Sequence, residues 1–393
     1  MKILLVVPQL SSFTTFLTEL AHGIRATGHQ VRVAMRSAHV PGVTTPIPAW
    51  GASTIVPLAI PRGTQPLRHL KAAIQLRNTI RDFAPDIVHA HFSSAAFTTV
   101  LARRLSTKSP PSKPKFLTTI QGLLGNQSNA GRLAQLAEIW ALRQMDRVWV
   151  LSDDDHSWLQ SRGVQHGRRQ PGYGFGCRTG QFDPRHFGAE HRQQLRSQLG
   201  IDGEAPVLAF IGRQVSFKGF GCVIRGYRQL LNLSDRKLAP SLLLIGVEDP
   251  LHDSGLSLAE LNWARKCPTI HWLGWQEAVA PYLAITDILL FPSEREGMPV
   301  NIMEALGMGI PVITCNTRGC RDLVRHGENG FLIAGQNPKA LTRAIQQLIT
   351  NPAVRQQMGR QALAKREAYD RGRYVAWQLN AYEQIYSKAL GPN

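Results

Sequence analysis

The 393-residue chain has five cysteines, Cys177, Cys222, Cys267, Cys315 and Cys320, and no C-x-x-C pair. An odd, scattered set excludes a disulfide framework and a cysteine-pair zinc site, and points to reduced thiols. Cys315 closes an apolar run and reads as a small buried hydrophobe. Long apolar runs are missing. The first, "KILLVV" (2–7), gives way at once to polar residues, and none reaches the ~18 residues of a membrane span. "MKILLVVPQL" is too short for a secretory signal and has no small-residue cleavage site. The expected location is therefore the cytoplasm. No G-x-G-x-x-G follows the first run, which argues against an NAD dehydrogenase, and both G-x-S-x-G and the Walker phosphate loop are missing. "GYGFG" (172–176) alternates glycines, but in a turn-rich stretch.

Acidic residues are scarce in one half. Residues 1–185 carry 22 Lys and Arg against 9 Asp and Glu, whereas residues 186–393 carry 23 against 18. The excess of +13 suits nucleic acid, an anionic membrane or a phosphate-rich substrate, unless it only reflects a basic proteome. No nucleic-acid-binding module accompanies it, so no nucleic-acid partner is expected.

The length suits two domains. "KILLVV" (2–7), "QVRVAM" (30–35), "DIVHAH" (86–91), "FLTTIQ" (116–121) and "DRVWVLS" (146–152) read as strands, separated by helical periodicity. Ser152 before Asp153, Asp154 and Asp155 reads as a helix N-cap. The Gly- and polar-rich stretch 167–185 reads as a linker. Six more strands follow: "VLAFIG" (207–212), "SLLLIG" (241–246), "TIHWLG" (269–274), "DILLFP" (287–292), "PVITC" (311–315) and "GFLIA" (330–334). Such alternation predicts an α/β protein with two Rossmann-like domains, parallel sheets with helices on both faces, and ligands bound beyond the carboxyl ends of strands in a cleft. The expected divisions are 1–170, a linker 171–185, and 186–371. A C-terminal helix over about 372–393 either packs back across the junction or is an ordinary terminal helix.

Three stretches carry chemistry. In "EREGMPVNIMEAL" (294–306), Gly297 permits close backbone approach and Pro299 suits a first helical turn. The N–H groups near 297–301 would face a diphosphate. Glu296 and Glu304 would then accept from hydroxyl groups rather than face phosphate, or they are a helix-dipole glutamate and a solvated one. In "FIGRQVSFKGF" (210–220), Arg213 and Lys218 follow Gly212 at a strand's carboxyl end. They suit a fork and a point charge on a diphosphate, or an ordinary basic loop. In the first domain, His89 and His91 share one side of a strand. A cleft or core role outweighs a metal pair, because no carboxylate-rich partners are apparent. Ser11, Ser12 and Thr14 after the first strand reach the cleft or merely cap a helix. "TTIQGLLGN" (118–126) follows another strand.

Together these stretches resemble retaining glycosyltransferases of the GT-B fold, in the large family four that uses nucleotide sugars. The resemblance covers about 205–350 through the E-x7-E motif at 296–304, "PS" at 292–293, "GRQVSFKG" (212–219) and "GCRDLVRHGENGFLI" (319–333). It is looser in "GHQVRV" (28–33), "PDIVHAH" (85–91) and "GFGCRTGQF" (174–182). "REG" with "GCRD" is most similar to bacterial enzymes that extend surface polysaccharides or lipid-linked oligosaccharides. The resemblance implies that Arg213 and Lys218 bind the donor diphosphate, Glu304 the ribose and Glu296 the transferred sugar. It also implies that Gly212 and the backbone at Gly297, Met298, Pro299 and Val300 line the donor. Ser11, Ser12, His91 and Gln121 are the acceptor-side candidates. It implies no metal and no further cofactor. The sequence departs from the family in its glycine-poor "PQLSSFTT" (8–15), in Gln121 where many members have His, in Arg178 for Asp and in Asp322 for Glu.

The function expected is retaining transfer from a nucleotide sugar, a UDP-sugar first, to a hydroxyl of a glycan or polyprenyl-diphosphate-linked saccharide. A hexosyl or N-acetylhexosaminyl group would be moved, in cell-surface polysaccharide biosynthesis. The alternatives are a non-catalytic nucleotide-sugar-binding protein and a nucleotide-sugar epimerase. "PLRHLKAAIQLRNTIRDF" (66–83) is partly amphipathic through Leu67, Leu70, Ile74, Leu76, Ile80 and Phe83. It reads as a core-packed helix with a solvated basic face, or as a dock for an anionic membrane on the inner face of the cell.

Overall fold

The computed structural model describes residues 1–36, 54–61, 63, 65–106, 114–124, 131–203, 205–233 and 239–390. Gly125 and Asn126, the end of "TTIQGLLGN", and residues 391–393 lie outside them. The chain divides into two compact units. Unit 1 is Met1–Phe175 with Gly372–Asn393, and unit 2 is Gly176–Arg371.

Unit 1 is built on β1 (Lys2–Val7), β2 (Gln30–Met35), β3 (Ile55–Pro57), β4 (Ile87–His91), β5 (Lys115–Ile120), β6 (Arg147–Val150) and β7 (Gly167–Arg169). They lie in the order β3-β2-β1-β4-β5-β6-β7, all parallel. β1 and β4 are buried along nearly their whole length, as expected of central parallel strands covered on both faces. The core gathers Leu4, Val6, Val88, Val100, Leu142 and Val148.

Two strands differ from the sequence reading. β3 and β7 are three-residue edge strands, and β7 occupies the start of the stretch read as linker. "GRR" has no apolar signal. It is a strand because its backbone completes the open edge of β6, pairing Val148 with Gly167 and Val150 with Arg169. The helical pattern after β1 is also split, into Leu10–Phe16 and Thr18–Ala26, at Leu17.

Unit 2 carries β8 (Val207–Ile211), β9 (Ser241–Ile245), β10 (Ile270–Gly274), β11 (Ile288–Phe291), β12 (Val312–Cys315) and β13 (Gly330–Ile333). These are the six expected strands, parallel, in the order β10-β9-β8-β11-β12-β13. Cys315 is fully buried at the end of β12. The first and last segments of the unit are paired: Cys177 N donates to Tyr369 O (2.8 Å) and Arg371 N to Cys177 O (2.9 Å).

In both sheets the strand order reverses once, between β1 and β4 and between β8 and β11. The crevice beyond the carboxyl ends at such a reversal is where open α/β sheets bind ligands. No described helix is long and apolar enough to cross a membrane. The C-terminal helix, Arg371–Leu390, follows unit 2 in sequence but from Gly372 onward belongs to unit 1. Tyr382 Oη meets His89 Nδ1 at 2.6 Å, and Trp377 packs edge-on against Trp149.

Candidate functional site

Three loops converge at the β8/β11 reversal. The first leaves β8 through Gly212 and turns back in a 3₁₀ segment, Ser216–Lys218. Gly219 closes that turn at φ +83°, and a Cβ there would sit 2.3 Å from the Pro292 carbonyl oxygen. Only glycine lets the first loop lie against the second, which leaves β11 at Pro292. The contact is sealed by Glu294 N, which donates to Phe217 O (3.0 Å), with Ser293 Oγ 3.2 Å from the same carbonyl oxygen. The third loop follows β12. Thr317 Oγ1 donates to Ser293 O, Arg318 Nε donates to Glu296 O, and a Cβ on Gly319 would lie 2.4 Å from Gly297 O.

Within this junction Lys218 Nζ contacts Glu296 Oε1 at 2.5 Å, with side chains only 18% and 9% exposed. Ser293 Oγ donates to the same carboxylate oxygen at 2.6 Å, and the ammonium also lies over the Phe291 ring. A lysine so far out of water needs a counter-charge. The sequence reading kept phosphate-binding cations apart from hydroxyl-reading acids; the structure instead joins Lys218 to Glu296. Arg213 is placed differently. Half-exposed, it pairs with Asp249 Oδ2 at 2.5 Å and lies over the Phe217 ring. Beside it a cavity of about 400 Å³ is lined by Gln214, Phe220, Glu248, Asp249, His252 and Leu261, among others.

The helix Val300–Gly307 opens from the second loop. Pro299 is its N-cap rather than its first-turn residue, and no side chain caps it. Asn301 Nδ2 donates to Ile211 O at 2.7 Å, tying the helix start to the end of β8. Met298 is buried, while Gly297 and Val300 are partly exposed. Glu304 lies one turn on, in other surroundings. Loss of water pushes its carboxyl up to about 7, against the opposing pull of Arg371 and Arg178. Glu296 and Glu304 are therefore not an equivalent pair.

In unit 1, Ser11 and Ser12 lie in the first turn of Leu10–Phe16, directly after β1. Neither is the cap: the N-cap is Gln9, which makes no side-chain cap bond. Ser11 O accepts from Thr14 Oγ1. His91 is fully buried, 4.1 Å ring to ring from His89, and neither of its nitrogens has a hydrogen-bond partner among the described residues. Desolvation lowers its pKa to about 3, so it is a neutral ring. His89 spends both nitrogens, on Tyr382 Oη and on Thr119 Oγ1 at 2.9 Å, which leaves none for a metal. Gln121 follows β5, partly exposed, with a buried Nε2 that has no partner among the described residues. Phe92, directly after β4 and N-cap of the helix Ser93–Arg104, has φ +72°, a strained geometry of the kind concentrated at functional sites.

Two protein families match these units in turn: Glycosyl transferase 4-like domain over residues 13–171, and Glycosyl transferases group 1 over residues 191–365. Residues 191–365 form a group 1 glycosyl transferase domain. Among curated proteins it is 25% identical over 210 residues to the N,N'-diacetylbacillosaminyl-diphospho-undecaprenol alpha-1,3-N-acetylgalactosaminyltransferase of Campylobacter jejuni, covering 53% of each chain. The chain spans about half the length of the curated relatives it matches. Among solved structures it superposes on WaaG, a glycosyltransferase involved in lipopolysaccharide biosynthesis, with TM-score 0.71 and 16% identity over 100% of both chains. It also superposes on Anabaena HepE in complex with UDP, with TM-score 0.73 and 16% identity, covering 98% of this chain and 100% of that one. These likenesses establish the GT-B fold.

In this group 1 domain the structure brings Lys218, Glu296 and the Gly297 loop into one junction. It sets Arg213 against Asp249, and Glu304 near two arginines. Sequence reasoning missed Asp249, Thr317 and Arg318. All three follow strands β9 and β12 at their carboxyl ends, so the rule that located Arg213 and Lys218 also reaches them. Arg371, far away in sequence, had no local signal.

Proposed function

We propose that the chain transfers a sugar from a nucleotide-sugar donor, a UDP-sugar, with retention, to a hydroxyl of a glycan or lipid-linked saccharide in surface-polysaccharide assembly. The observation that carries this is the Lys218–Glu296–Ser293 cluster, built at the β8/β11 reversal of a group 1 domain. The UDP complex of HepE and the diphospho-undecaprenol-linked acceptor in the Campylobacter relative's name support the donor and acceptor classes.

In this reading Lys218 and Arg213 take the diphosphate, and Glu296 accepts from a hydroxyl of the transferred sugar. Glu304 accepts from the ribose, and the backbone from Gly297 to Val300 covers the phosphates. Ser11, Ser12 and Gln121 lie toward the acceptor, with His91 buried behind them. The bond from the anomeric carbon to the phosphate oxygen breaks as the acceptor oxygen attacks the same face. The acceptor proton passes to the departing phosphate, whose charge Lys218 and Arg213 stabilise. No covalent sugar–enzyme intermediate and no metal is called for.

The test is a panel of UDP-, GDP- and ADP-sugars, read first by thermal shift and then by nucleotide release. A UDP-sugar should raise the melting temperature and be turned over to UDP, with the α or β configuration kept in the product. A non-catalytic binder would show the shift without release, and an epimerase would return an isomeric donor. A trapped covalent adduct would overturn the same-face mechanism.

A further inference from the structure

Unit 1 has an apolar surface that its own core does not use. Among its described residues, every exposed large apolar side chain lies on two helices. Pro66–Phe83 exposes Leu67 (81%), Leu70 and Ile74, while Arg132–Arg143 exposes Leu133 (81%), Leu136 (61%) and Trp140. Each set is spaced i, i+3, i+7, which is one helical stripe. On Pro66–Phe83 the stripe is additional to the core stripe, since Ala72, Ala73, Leu76, Ile80 and Phe83 are buried.

The two stripes are joined. The helix Ser93–Arg104 lies between, and its Phe97 ring is 5.1 Å from His69 on one side and 5.8 Å from Trp140 on the other. Leu67, Leu70, Leu133 and Leu136 occupy the N-terminal turns of helices that follow parallel strands. They therefore stand at the carboxyl edge of the sheet, the edge from which Ser11 and Gln121 project. The charge around them has one sign. Arg68, Lys71 and Arg132 are exposed and have no carboxylate partner among the described residues. Pro66–Phe83 has no acid before Asp82, and the one acid of Arg132–Arg143, Glu138, is buried and accepts from Ser93 Oγ and Leu124 N.

We infer that this surface docks on an anionic lipid bilayer, with Leu67, Leu70, Leu133, Leu136 and Trp140 entering the headgroup region and Arg68, Lys71 and Arg132 facing lipid phosphates. Exposed apolar side chains whose charged neighbours, among the described residues, are cations match a bilayer of negative surface charge. A soluble protein partner would present its own acids at fixed positions, whereas a bilayer matches cations spread over two helices. The assignment supplies the acceptor side of the proposed transfer with a surface, but docking is read without donor or acceptor. Failure of one therefore leaves the other standing.

The experiment is flotation of the full chain with vesicles of phosphatidylglycerol and phosphatidylcholine, against phosphatidylcholine alone, at low and high salt. Binding is expected to the anionic vesicles at low salt and to fall at least tenfold on adding salt. A Leu67→Ser/Leu133→Ser/Leu136→Ser variant and an Arg68→Glu/Lys71→Glu/Arg132→Glu variant should each lose it, the charge variant by about 100-fold or more. Their circular dichroism and melting should stay those of the parent, because the sites are exposed. Equal binding to neutral vesicles, or none at low salt, would overturn the inference. So would a concentration-dependent dimer that the leucine variant abolishes, because the face would then be covered by a second copy.

Discussion

At the residue scale the two glutamates of the E-x7-E motif part company. Glu296 is held by Lys218 and Ser293, where it meets the reacting sugar in the proposed mechanism. Glu296→Gln should slow transfer by about 100-fold or more while leaving UDP affinity nearly unchanged, a split that kcat and a UDP titration would show. Glu304 should behave otherwise. Its pKa is raised from 4.5 to about 7 by burial, so the folded chain holds this proton longer than the unfolded chain does. The stability from the protonated group is complete below about pH 4.5 and is lost as pH rises to about 7. Melting followed from pH 5 to pH 8 should therefore fall less steeply in Glu304→Gln than in the parent. A carboxylate also accepts from ribose hydroxyls better than a carboxylic acid, so UDP affinity should rise across the same range in the parent and stay flat in the variant.

At the element scale the site depends on loops pressed together rather than on any one helix. Gly219 shows this most sharply, because both its φ and the Pro292 carbonyl forbid a side chain. Gly200 in the same unit also has positive φ, +67°, but open space around it. Gly200→Ala should cost about 1–2 kcal/mol for the left-handed backbone alone. Gly219→Ala should cost distinctly more and abolish turnover, because relieving the clash parts the loops carrying Lys218 and Glu296. Denaturant unfolding of the two variants checks the comparison.

At the scale of the whole molecule, the C-terminal helix links sequence order to domain order. It follows unit 2 along the chain, yet Val375 and Leu379 pack against Gly23, and Tyr382 reaches His89. Ending the chain at Arg371 should loosen β1 and β4 in hydrogen exchange while β8 and β11 keep their protection. Tyr382→Phe, which leaves a buried histidine nitrogen unpaired, should cost about 1–3 kcal/mol.

The sequence by itself determined the eleven longer strands, their parallel arrangement and the two-domain architecture, because buried parallel strands need continuous apolar runs. It also marked the loops after β8 and β11 as the place for chemistry, since glycines and charges at strand ends have few structural uses. It did not reach β3 and β7, which exist only because a neighbouring edge offers unpaired backbone groups. Nor did it reach the partners of the charged residues. That Lys218 closes on Glu296, that Arg213 turns to Asp249, and that Arg178 and Arg371 oppose the burial of Glu304 was decided by tertiary structure. Electrostatic partners are chosen by distance in space and by exclusion of water, and neither is written in the spacing along a chain.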